Sequence, residues 1–524
     1  MAVLVFAVVI LLPTAWMFAN SLIVDKSISF QNYTHVLSDA RQLRLLYNTL
    51  LLGLGTTLVA LVIGVPLAFL IDRTNIYLRR PLQYLYLVPL IIPPYMSTIA
   101  WIDLLGNRGT ISLFLVNTLS LDHPLFTIYG LAGCIAILAL SYFPFVTLLA
   151  LSGLRSVDRR LEEAASLSHG ELGALRSITV PLISPHILTG AIFVFIFALS
   201  NYEVPDLLRV NAYPVEIFVL FSAFYREGAA TAASLPLILV TIPAILLIRH
   251  YMGSRSYVTL SSASSYPVVV NLGKWKKLAF GFVVLVFLLS AVLPITDLVI
   301  RSGSVVSYAT ALRTAHRQIL TGIALAAIAA TAMIVLGFSI SYFIERSKGR
   351  TRGLMETLSL LPFAVPATVL GIGLISVWNT PMTQFVYGSS LIVLFGYTAR
   401  FIPFVTRAIG SSLRQIHLDL EEAGLLCSNS WSQRMSKIVV PLAEPGILAG
   451  WCLAYAFSVG ELGTTLLVIP PGEATLPIRI YTLMHYGASQ IVAALCMVLV
   501  VVSLVPITFL FGLKYLTRPR SARD

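Results

Sequence analysis

The sequence predicts an all-α polytopic membrane protein of about 12 transmembrane helices, arranged as two parallel six-helix repeats. Three observations carry this. Of the 524 residues 57% are hydrophobic and only 11% charged, whereas soluble domains run at about 25% charged. Apolar stretches of about 20 residues recur, each enough to cross roughly 30 Å of hydrocarbon. Short motifs also return at nearly constant offsets. Asp72-Arg73 returns as Glu345-Arg346, and Pro89/Pro93 as Pro362/Pro366, both 273 residues on. The tetrad Pro-Phe-Val-Thr at 144–147 returns at 403–406, and Leu-Glu-Glu-Ala at 161–164 returns at 420–423, both 259 residues on.

In chain order the spans are expected at 1–21, 45–71, 82–105, 126–151, 186–202 and 231–248, then 278–300, 318–344, 355–378, 389–409, 446–469 and 490–513. The first opens apolar and meets no basic residue before Lys26. It therefore lacks the positive flank of a signal peptide and reads as a span. Segments 82–105 and 355–378 carry the matched prolines, which free a carbonyl and kink a helix. Ser200 and Glu203 match Ser458 and Glu461, 258 residues on. A Ser-rich, basic stretch at 254–277 forms the seam, giving an N-terminal half at 1–255 and a C-terminal half at 256–524.

The formal charge of +12 could suggest nucleic acid, but the basic residues sit between apolar spans rather than on one face. They act as topology signals. Of the 35 Lys and Arg residues, 24 fall on the side of the two termini and 10 on the other, with Arg400 inside a span. The positive-inside rule makes the termini's side cytoplasmic. The four cysteines show no paired spacing, so neither a disulfide framework nor a metal knuckle follows.

Two polar islands interrupt this apolar chain. At 161–170 stands Leu-Glu-Glu-Ala-Ala-Ser-Leu-Ser-His-Gly, followed by Ile-Thr-Val-Pro at 178–181. At 420–424 stands Leu-Glu-Glu-Ala-Gly, followed by Ile-Val-Val-Pro at 438–441. Leu154, Val157, Leu161, Ala164 and Ala165 share one helical stripe, as do Leu413, Ile416, Leu420 and Ala423. Ser168 with Glu171, and Ser430 with Gln433, have capping-box spacing, predicting a second short helix in each island. Pro181 and Pro441 are expected to end those helices.

These islands resemble the EAA signature of permease subunits of binding-protein-dependent ABC importers. Glu163, Ala164, Ala165 and Gly170 carry the first copy, with Gly170 one residue late; Glu422, Ala423 and Gly424 carry the second, with Ser428 in the glycine position. The resemblance implies a MetI-like type I importer fold in the bacterial inner membrane. It also implies that each loop is a cytoplasmic coupling helix docked on one of two ATP-binding subunits, and that a periplasmic binding protein delivers the cargo. Part of that protein's dock is expected on the outer segments 207–228 and 466–487. ATP would then bind the partner subunit, with no cofactor on this chain.

The sequence carries no catalytic constellation: no HExxH, no GxSxG and no Gly-x4-Gly-Lys-Ser/Thr phosphate loop. This is the pattern of a transport permease rather than an enzyme. The polar residues in or beside spans are Glu203, Glu461 and Arg400. Glu203 and Glu461 occupy equivalent positions, which a pseudo-twofold would place on opposite walls of one pathway, receiving a cation or else capping loops. Arg400 has Ser141 as its counterpart; it contacts an anion on the path, forms a structural ion pair with Glu461 as the partner to test, or snorkels to the cytoplasm.

For cargo, fused permeases with two EAA loops resemble ferric-iron importers first and thiamine importers next, with phosphonate importers open because of Arg400. The runs at 461–472 and 483–487 resemble the iron group most. An ion-coupled secondary transporter would share the twelve spans and the pseudo-twofold, but would not need two matched cytoplasmic loops.

Overall fold

A computed structural model describes residues 5–24, 27–120, 122–124, 127–253, 270–427, 430–486 and 489–517. Among them nine helices are long and apolar enough to cross a membrane, from Ala40–Arg73 to Trp431–Val459. Counted as one span, the bent pair Gly349–Phe363 and Ala367–Trp378 makes a tenth, and shorter apolar helices lie at Ala7–Ser21, Tyr213–Ser222 and Ser489–Leu504. The one sheet among the described residues is a small hairpin pairing Ile23–Val24 with Ser27–Ile28.

Prolines correct two of the expected spans. Segment 82–105 is three helices, Arg79–Leu85, Val88–Ile91 and Pro94–Leu105, and the break between the last two falls where Ile92 before Pro93 is extended at φ −88°, ψ 110°. Proline's Cδ disfavours the helical region for the residue before it. The equivalent break falls at Val365 (φ −90°, ψ 122°) before Pro366, and the pair is bent by 100°. Pro181 and Pro441, by contrast, do not end their helices. Each sits second in a helix, Val180–Ser200 and Val440–Val459, that continues from a π-turn at Leu175–Thr179 and Met435–Val439. The widened turn accommodates a residue that has no N–H and crowds the carbonyl four back.

The chain folds as two compact units that do not follow its midpoint: 1–36, 217–234 and 301–524 form one, 37–216 and 235–300 the other. Each unit therefore takes in the first span of the opposite sequence half. In the first unit Ala7–Ser21 lies against Ala367–Trp378, where a Cβ on Gly373 would stand 2.9 Å from the Pro13 carbonyl oxygen. In the other, Tyr77 meets Phe280 edge-on at 5.5 Å and Lys276 Nζ lies 4.2 Å from the Tyr77 ring. The boundary between 255 and 256 lies outside the described residues.

Within each unit the same helix crossing recurs. A Cβ on Gly64 would meet Val146 Cβ at 2.8 Å, and one on Gly337 would meet Val405 Cγ1 at 2.7 Å. Without a side chain there, Ala40–Arg73 packs directly on Leu131–Ser156, and Val305–Arg346 on Leu391–Arg414. Small residues at a crossing let backbones approach where lipid supplies no hydrophobic drive between helices. Hydroxyl bonds stitch both crossings: Thr147 donates to the Gly64 carbonyl at 3.2 Å, Ser341 to that of Thr406 at 2.8 Å.

Candidate functional site

The first island follows the span Leu131–Ser156 after an extended Val157, and Asp158 starts its helix by accepting the Arg160 amide at 2.9 Å. The helix Arg159–Ala174 is interrupted at Gly170, which sits at φ 70°, ψ 172°, a region open essentially to glycine alone. Ser168 does not mark the start of the second helix. It lies within the first, its hydroxyl donating to Ala165 at 3.2 Å, and the chain turns at Gly170 instead. In the second island Leu418–Cys427 comes first, and Ser430 caps the next helix by accepting the Gln433 amide. Ser428 lies outside the described residues.

The apolar stripe faces outward beyond its first residues. Leu154, Leu413 and Ile416 are buried, but Leu161 is 51% and Leu420 48% exposed, and Ala164 and Ala423 are exposed. Leu167 and Leu426, which are equivalent at the 259 offset, are each 91% exposed. Glu163 and Glu422 are exposed, as is Gly170, while Ala165 is half-buried. Gly424 is buried because a Cβ there would meet Ile438 Cδ1 at 2.7 Å.

The inward face of each island carries the preceding glutamate. Glu162 Oε1 lies 3.1 Å from Arg73 Nη2 and accepts the Thr179 hydroxyl at 2.9 Å. Glu421 Oε1 accepts from Arg346 Nε at 2.9 Å, and its Oε2 accepts the Tyr342 hydroxyl at 2.8 Å. The acid before each arginine reaches the end of the span leading into the loop. Asp72 pairs with Arg155 at 3.3 Å and Glu345 with Arg414 at 3.0 Å. In the sequence the matched Asp72-Arg73 and Glu345-Arg346 stand out as signs of duplication. The available signal was that a repeated acid–arginine pair needs partners of opposite sign, and the repeated first glutamate is one.

Beyond the loops, Arg400 Nη1 lies 2.5 Å from Glu461 Oε1 in one unit. Glu461 also accepts the amides of Thr464 at 2.7 Å and Thr465 at 2.9 Å, at the start of the short helix Thr465–Val468. In the other unit Glu203 is buried with Asn201 Nδ2 at 3.4 Å, and Asn201 Oδ1 accepts the Val204 amide at 2.9 Å. Among the described residues no group of three or more His, Cys, Asp or Glu could hold a metal ion.

The family described as binding-protein-dependent transport system inner membrane component matches residues 60–257 and again 333–520, each match enclosing one of the two loops. The chain belongs to this family. The permease is 24% identical over 531 residues to the ferric transport system permease protein FbpB of Actinobacillus pleuropneumoniae, covering 95% of this chain and 75% of the relative. To the Fe(3+)-transport system permease protein FbpB 2 of Haemophilus influenzae it is 21% identical over 506 residues, or 95% of this chain and 96% of the relative. A probable molybdenum ABC transporter permease of Haloferax volcanii is 31% identical over 215 residues, covering 40% of this chain and 75% of the relative. The double match makes this permease a fused duplication, with both loops on one polypeptide.

Proposed function

We propose that two copies of an ABC ATP-binding subunit dock on the two coupling loops and drive uptake of ferric iron delivered by a periplasmic binding protein. The observation that carries the docking is the pair Leu167 and Leu426, each 91% exposed beside an exposed glutamate, Glu163 and Glu422. An apolar side chain so exposed at matched places in a duplicated chain marks a surface meant for another protein. Closure of the ATP-binding subunits would draw the loops together and open the pathway outward. Both termini then lie in the cytoplasm, the side that the excess of Lys and Arg favours.

The cargo reading rests on the relatives named for ferric transport, which align with 95% of the chain. Glu203, Glu461 and Arg400 are proposed to lie along the translocation path. Arg400 is already engaged by Glu461, which weighs against its serving a free phosphonate. Glu203, at the equivalent position of the other half, is proposed to meet a cation. The test is reconstitution in liposomes with the co-encoded ATP-binding subunit and binding protein. ATP-dependent uptake of ferric iron supports the reading; uptake of thiamine or 2-aminoethylphosphonate instead would overturn the cargo. Uptake that continues without ATP and collapses with the proton gradient would overturn the class.

A further inference from the structure

We propose that Arg73 and Arg346 are positioning residues for coupling: each mounts its loop on the second span of its own half by holding the loop's first glutamate. This rests on the docking proposed above. The two sites keep the same chemistry through different residues. In one half the acid, Glu162, takes Arg73 and the Thr179 hydroxyl, and Phe69 stands nearby at the wall of the same small cavity. In the other half the position matching Phe69 is Tyr342, which supplies the hydroxyl, and the position matching Thr179 is Val439. Each acid therefore keeps one guanidinium and one hydroxyl, although the hydroxyl comes from a different element. Chance packing between a loop and a span would not preserve that set.

The tie is also double. Asp72 and Glu345 bind Arg155 and Arg414, at the ends of the spans that lead into the loops, so each loop is fixed at its entry and at its first turn. Arg73 and Glu162 side chains are 7% and 8% exposed. A charge buried to that degree cannot be left unpaired cheaply, so the tie is whole or broken rather than slack. On a helix, five residues turn the chain by about 140° from Glu162 to Leu167. Holding the acid inward thus aims the leucine outward, and a force on the leucine reaches the span Ala40–Arg73 through the ion pair. The same geometry runs from Leu426 through Glu421 to Val305–Arg346.

The experiment uses the complete complex in liposomes and reads the stimulation of ATP hydrolysis by the purified binding protein. A photocrosslinking residue at Leu426 reports whether the ATP-binding subunit is docked. In R346M the cross-link persists and stimulation falls about tenfold, the usual scale of coupling between sites. R346K recovers most of it, and Arg346→Glu combined with Glu421→Arg recovers part of what either change alone loses. Full stimulation in R346M overturns the proposal. Where R346M does not assemble, E421Q keeps the size of the acid and its bond to Tyr342, and full stimulation there overturns it equally. Absence of the cross-link in the otherwise unaltered complex overturns the docking and this proposal together; a retained cross-link with full stimulation in R346M overturns this proposal alone.

Discussion

Arg400 and Glu461 form an ion pair at 2.5 Å inside one unit, with the arginine on the tenth residue of the span Leu391–Arg414. The carboxylate is 1% exposed and the guanidinium 21%. Removing one partner of a buried pair costs about 3–5 kcal/mol, because the other charge stays buried without its counterion. Arg400→Met and Glu461→Gln should each lower the thermal midpoint of the purified permease. The double variant should lose clearly less than the sum. Additive losses would show that the two side chains do not depend on one another.

Glu203 differs from Glu461 because Ser141 stands where Arg400 does in the other half. Glu203→Gln should slow uptake, whereas Glu461→Gln should also lower the thermal midpoint, because it leaves the Arg400 guanidinium without its counterion. Initial uptake rates beside unfolding curves make the comparison. Normal uptake in Glu203→Gln would remove that acid from the pathway.

The helix crossing at Gly64 leaves no room for a methyl group, since Val146 Cβ and the Phe143 carbonyl oxygen stand 2.8 and 2.9 Å from the built position. Forcing a group into a packed contact costs about 1–3 kcal/mol. Gly64→Ala should lower the thermal midpoint. Gly281→Ala, at an exposed helical site with nothing within 4 Å, should leave it level or raise it slightly. Equal effects at the two glycines would contradict the close crossing.

At Gly170 nothing lies within 4 Å of a built Cβ, so any cost of substitution there comes from the backbone alone. A non-glycine residue at φ 70°, ψ 172° costs about 1–3 kcal/mol. Gly170→Ala should leave the membrane spans unaltered but raise backbone amide exchange across 165–175. Unchanged exchange there would mean that the turn tolerates a side chain.

Much of the architecture was legible because lipid leaves the backbone few choices: long apolar runs become helices, and matched loops betray the duplication. The breaks at Ile92 and Val365 were signalled by the prolines that follow them. Pro181 and Pro441 misled because a π-turn can absorb a proline, and no periodicity announces one. The exchange of first spans was not legible either, since a lipid-facing helix carries no mark of which bundle it packs against. At the loops the EAA residues were plain. Their orientation was not, because periodicity shows which residues share a stripe but not which way it faces, and the buried Glu162–Arg73 pair sets the facing. The partners of that ion pair lie far apart in sequence, and only the fold brings them together.

The central claim is that the duplicated permease offers two equivalent outward leucines to a separate motor. Photocrosslinking residues placed at Leu167 and, separately, at Leu426 in the intact complex test it most directly. Both positions should capture the ATP-binding subunit, and both cross-links should map to the same surface of that subunit. Capture from one position only, or from neither, would contradict the account.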